Sequence, residues 1–89
     1  MRLDLFLKAT RICLRRTVAQ KLCDAGLATV NGRTAKSSHA VKTGDEIGLR
    51  IRNRSMRIRV TKLPTTRSVA KAEATSLYDV IEDEVIEEV

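Results

Sequence analysis

Leu3, Phe6, Leu7 and Thr10 recur at helical spacing, which predicts a short amphipathic helix over residues 2–10. A second helix is predicted from about Arg15 to Ala25. Val18, Leu22 and Ala25, with Ala19 and Cys23, make its buried stripe. Thr17 and Gln20 have the spacing of a capping box, and Gly26 stands where this helix would end. After Gly26 the period changes. Leu27–Val30 and Arg33–Lys36 read as strands on either side of Asn31-Gly32, a pair suited to the positive φ angles of a type I′ turn. Residues 37–40 read as a loop with His39 exposed, and residues 42–45 carry turn chemistry.

The clearest alternation follows. Ile47, Leu49 and Ile51 share a face, as do Met56, Ile58 and Val60. A two-residue turn at Asn53-Arg54 would pair Ile51 with Met56 and Leu49 with Ile58. It would also set Arg50 opposite Arg57 on an outer face that Arg52 and Arg59 share. That face is either solvated arginine or an auxiliary phosphate-contacting strip. Pro64 closes the strand region, and Ser68–Tyr78 has the alanines and leucine of a short helix. Asp79–Val89 mixes acids with Val80, Ile81, Val85 and Ile86. It fits a docked helix, an edge strand or a frayed tail. The expected class is α+β: two N-terminal helices on a small, mostly antiparallel sheet, with a short C-terminal helix or tail.

Charge divides the chain in two. Residues 1–67 hold 16 Lys/Arg and 4 Asp/Glu, whereas residues 68–89 hold one Lys and 7 acids. The expected organisation is therefore a basic domain over 1–67 and an acidic segment over 68–89. The net charge of +6 favours an anionic partner. Phe6 and Tyr78 are the only aromatics, so a base-stacking platform is missing and backbone or shape recognition is expected. Cys13 and Cys23 lie ten residues apart beside a single histidine, which argues against a zinc site and for reduced cytoplasmic thiols. No apolar run reaches membrane-spanning length, and no signal peptide is visible. No phosphate loop, carboxylate pair or activated nucleophile is recognisable. No catalysis, metal or cofactor is expected.

Arg11, Arg15 and Arg16 gather at the start of the second helix, where the dipole is positive and folding favours acids. Cations there make sense when an anion arrives from outside. A phosphate takes free N–H groups and forked guanidinium contacts together. Lys8 and Arg2 widen the patch. Asp4 suits the first-turn dipole, and it equally suits orienting Arg2.

Several motifs now fall in order: Arg2-Leu3-Asp4-x-Phe6-Leu7, Arg16-Thr17-x-Ala19, Gly26-x-x-x-Val30-Asn31-Gly32, Lys36, and Val41-Lys42-x-Gly44-Asp45-x-Ile47. Together they resemble the S4 domain, an RNA-binding module, over residues 1–63. A nearly free-standing module with this opening resembles the RqcP / heat-shock-protein-fifteen-like family, and its RqcP side most. The resemblance implies a factor on the obstructed large ribosomal subunit; a monomer in the cytoplasm is expected. Such a factor would bind ribosomal RNA and peptidyl-tRNA and support alanine tailing by RqcH. It carries RNA-binding roles onto Arg2, Asp4, Lys8, Arg11, Arg15, Arg16 and Thr17. Arg33, Lys36, Arg50 and Arg57 are weaker, accessory candidates. Leu5 and Leu14 depart from the family, whose close relatives tend to be basic there. The alternatives are a recycling or assembly factor on the same subunit, and a protein-interaction adaptor acting through the acidic segment.

Overall fold

Helix α1 spans Leu3–Ala9 and buries Leu3, Phe6 and Leu7 completely. The structure is a computed structural model that describes residues 1–65 and 69–85. Arg11, at φ 61°, turns the chain out of α1; its N–H returns to the Lys8 carbonyl and that of Cys13 to Leu7. Helix α2 spans Arg16–Asp24 and buries Ala19 and Cys23, with Leu22 half-buried. Val18 and Ala25 are exposed, contrary to the predicted stripe. At about 100° per residue they point well away from the Ala19–Cys23 line. Arg16 and Gln20 instead share the face turned towards α1.

Five strands form one antiparallel sheet in the order β2-β1-β3-β4-β5. They are β1 (Ala28–Val30), β2 (Arg33–Thr34), β3 (Glu46–Ile51), β4 (Arg54–Val60) and β5 (Tyr78–Val85). Asn31 (φ 53°) and Gly32 (φ 82°) make the predicted β1–β2 turn. The Asn31 carboxamide also donates to Asp45 Oδ1 at 3.1 Å and accepts the Glu46 N–H at 3.0 Å, tying this hairpin to β3. Ala28, Val30, Ile47, Leu49, Ile58 and Val60 turn inward to meet α1.

The β3–β4 turn lies at Arg52-Asn53 rather than Asn53-Arg54. Arg52 takes φ 54°, and Ile51 pairs with Arg54, Leu49 with Met56 and Ile47 with Ile58. The predicted pairing was therefore two residues out. A shift of two keeps every side chain on its face, so the alternation could not reveal it. The register opposes Arg50 to Ser55 and Arg57 to Gly48, which avoids apposed like charges. Gly48 leaves room for Thr29 here: a Cβ would lie 2.5 Å from Thr29 Oγ1, so that hydroxyl would have to move.

The acidic segment supplies the edge strand β5, which pairs with β4 from Val60↔Tyr78 to Arg54↔Val85. A short helix α3 (Lys71–Ala74) and a 3₁₀ turn (Thr75–Leu77) precede it, burying Ala74 and Leu77. The helix is shorter than the predicted Ser68–Tyr78. Ser68 itself, the expected boundary at 67/68, and Ile86–Val89 lie outside the described residues.

Candidate nucleic-acid interface

The start of α1 is pinned by backbone bonds to the loop after β2. The Leu3 N–H donates to His39 O at 2.8 Å, the Asp4 N–H to Ser37 O at 3.1 Å, and the Val41 N–H to Met1 O at 2.8 Å. This fixes Asp4 at the junction of α1 and α2, with no solvent exposure. Its Oδ1 accepts Arg2 Nε at 3.2 Å and the Leu5 N–H at 2.8 Å. Its Oδ2 accepts Arg2 Nη2 at 3.2 Å, Arg16 Nε at 3.1 Å and Gln20 Nε2 at 3.1 Å. Burial pushes this carboxyl up, but the bonds from Gln20, Arg16, Arg2 and the Leu5 N–H outweigh burial and hold it below its ordinary value. Asp4 is thus a charged hub, and its orienting role extends beyond Arg2 to Arg16.

The two arginine side chains remain 43% exposed. Arg16 engages Asp4 through Nε, so the terminal nitrogens of its fork are not held by Asp4. One carboxylate therefore orients two guanidinium groups and neutralises only one. The first turn of α2 contains no acid, and its N-cap, Arg15, makes no side-chain cap. Gln20 does not complete the predicted capping box with Thr17, because its amide is directed to Asp4. The first N–H groups of α2 have no helical partner by construction.

Lys8, Arg11 and Arg16 line a cavity of about 460 Å³ together with Met1, Leu5, Ala9, Leu14 and Val69. Arg11 Nη2 donates to the Val69 carbonyl at 3.3 Å, which holds the side chain along the cavity edge. Among the described residues, no acid lines it. Arg15 and Thr17 are exposed beside it at the start of α2 without lining it. The structure thus joins Arg2, Asp4 and Arg16 in one bonded group and gathers Lys8 and Arg11 around Arg16. The sequence reading gave Gln20 a capping role and missed its place at the Asp4 hub. Its signal was the i, i+4 spacing from Arg16, which places both on one face.

The accessory candidates are scattered. Arg33 and Lys36 lie in and after β2, at one edge of the sheet; Arg50 is on β3 and Arg57 on β4. Arg57 Nη2 lies 3.5 Å from Glu82, and Arg59 Nη2 lies 2.9 Å from Glu46. Arg54 forms a forked pair with Asp83, whose carboxyl that bond holds below its ordinary value. Both cysteines are buried free thiols; burial, with Cys23 nearby, pushes Cys13 up to about 11. Among the described residues there is no group of three or more His, Cys, Asp or Glu placed to hold a metal. None of the described helices is long and apolar enough to cross a membrane.

Two helices, an antiparallel sheet and a cationic hub at the helix junction define an RNA-binding class of small domain. The chain belongs to the S4 domain family, whose model matches residues 1–47. Over nearly its full length it is similar to the RQC P-site tRNA stabilizing factor of Halalkalibacterium halodurans. The two are 43% identical over 86 residues, covering 97% of this chain and 96% of the relative. The factor of the same name from Bacillus subtilis is 39% identical over 88 residues, covering 99% and 100% of the two chains. Among solved structures, the trimeric Heat Shock Protein 15 of Vibrio cholerae superposes with a TM-score of 0.82 at 32% identity. That match covers 90% of this chain and 80% of the other.

Proposed function

We propose that this protein is a ribosome-associated quality-control factor that binds RNA and catalyses nothing. It holds large-subunit ribosomal RNA and peptidyl-tRNA together on the obstructed subunit, and so supports RqcH in alanine tailing. The relatives' name supplies the P-site tRNA. The observation that carries the reading is the Asp4 hub, which fixes Arg2 and Arg16 in place before any ligand arrives. Preorganised guanidinium forks beside open helix N–H groups suit phosphate oxygens. Arg11, Arg15, Lys8 and Thr17 extend the contact along the backbone of the RNA. Work as a monomer in the cytoplasm is part of the same proposal.

The decisive test is co-sedimentation of the Arg16→Ala protein with large subunits carrying tRNA. Arg16 lies at a helix start with its side chain half in solvent, so its removal leaves the fold intact. Affinity is expected to fall by about tenfold. The slope of log affinity against log salt is expected to decrease by about one, as one phosphate contact is lost. Normal co-sedimentation of the variant would overturn the reading. The likeness to Heat Shock Protein 15 favours recycling of free large subunits as the second reading. Binding that ignores whether tRNA is present would select it.

A further inference from the structure

The cavity beside Arg16 has apolar lining residues that phosphate recognition does not use. Leu14 is 81% exposed in the turn between α1 and α2, the most exposed of the large hydrophobic side chains among the described residues. Leu5, on α1, is half-buried and lines the same cavity. Lys8, Arg11 and Arg16 line it as well. An apolar shelf and three cations therefore share one hollow of about 460 Å³, within the range of small-ligand sites.

Paired RNA presents phosphates and sugars outward and keeps base faces stacked inside the helix. It has nothing apolar to set on Leu14. An unpaired nucleotide carries both features on one unit: a flat apolar base face and a phosphate a few ångströms away. The absence of any acid in the lining, among the described residues, matches an anionic ligand and weighs against the basic or neutral apolar anchor of a protein partner.

Resting on the phosphate-clamp reading, we propose that this hollow takes one unpaired nucleotide, with its base on the Leu5–Leu14 shelf and its phosphate on Arg16 and Arg11. The protein then distinguishes RNA with an extruded base from a perfect duplex, although it has no aromatic platform there. Phe6, the aromatic of α1, is fully buried in the core.

The test uses the full chain and three labelled hairpin RNAs, read by fluorescence anisotropy. One has a single-nucleotide bulge, one has an abasic unit at that bulge, and one is fully paired. The wild-type protein is expected to prefer the bulged RNA over the abasic RNA by about fivefold, the scale for partly covering one leucine. Leu14→Ser, at a site too exposed to matter for folding, is expected to abolish that preference and leave binding to the paired RNA unchanged. Leu14→Lys separates the two components: it is expected to strengthen binding to all three RNAs while still losing the preference. Arg16→Ala is expected to weaken all three. Equal wild-type affinity for the bulged and abasic RNAs would overturn the proposal. So would an undiminished preference in Leu14→Ser. If Arg16→Ala changed nothing while the base preference persisted, the phosphate clamp would fail and the shelf would stand.

Discussion

Two groups of arginines meet carboxylates in this molecule, with opposite results. At the helix junction, one buried aspartate serves Arg2 and Arg16 together and leaves positive charge in excess. On the sheet, Arg54, Arg57 and Arg59 each have their own carboxylate: Asp83, Glu82 and Glu46. The first arrangement aims charge outward, and the second cancels it. The buried carboxylate also accepts bonds from Gln20 and the Leu5 N–H, so its position is determined by several partners at once. The sheet pairs are solvent-exposed, where an ion pair stabilises little and salt screens it. Arginine count would not have singled out the helix junction. What separates them is the ratio of cations to acids and whether the acid is buried.

Breaking the hub is expected to have the largest effect. Asp4→Ala leaves two guanidinium groups and an amide without their shared acceptor. Unfolding in urea is expected to show a loss of about 2 kcal/mol, and RNA affinity is expected to fall at least as far as in Arg16→Ala. Asp83→Ala is the control from the sheet, with no resolvable change in stability expected, because its ion pair is solvent-screened. The pH dependence has a fixed sign. The carboxyl of Asp4 is held below its unfolded value, so its contribution is full above that value and is lost as pH falls through the lower, folded one. The stability gap between wild type and Asp4→Asn is expected to be constant near neutrality and to shrink below about pH 4.

A smaller effect sharpens the comparison through backbone strain. Arg11 and Arg52 both hold left-handed φ angles, 61° and 54°, which a side chain disfavours. Replacing either with Gly is expected to preserve or raise stability, by up to about 1 kcal/mol. Only Arg11→Gly is expected to weaken RNA binding, by about threefold, since it lines the groove and Arg52 does not. Equal losses from the two variants would mean that the hairpin tip also contacts RNA. The smallest expected effect comes from uncovering the sheet arginines. Glu82→Gln with Asp83→Asn is expected to raise RNA affinity about twofold at low salt and not at all at high salt.

Much of this was legible along the chain. The spacing of Leu3, Phe6 and Leu7 located α1, and Asn31-Gly32 located the first hairpin, because helical period and positive-φ turn chemistry are local properties. The cluster of Arg11, Arg15 and Arg16 was visible for the same reason: an acid was missing where a helix start favours one. The β3–β4 register was not, since a shift of two residues leaves the pattern of faces unchanged. The exposure of Val18 and Ala25 was hidden because a short helix against α1 and the sheet buries only a narrow stripe, and Ala19 and Cys23 fill it. The acidic segment left helix, edge strand and tail all open, because strand formation there depends on an edge that β4 provides.

By itself, then, the sequence determined the element types from α1 to β4, the basic character of the helix junction and the family motifs that span residues 1–63. Each of these follows from neighbours a few residues apart. The tertiary structure alone decided which charges remain available. Asp4 meets Arg16 and Gln20 across 12 and 16 residues, and Arg54 meets Asp83 across 29. Electrostatic pairing acts through space, and the chain must fold before any arginine acquires its partner.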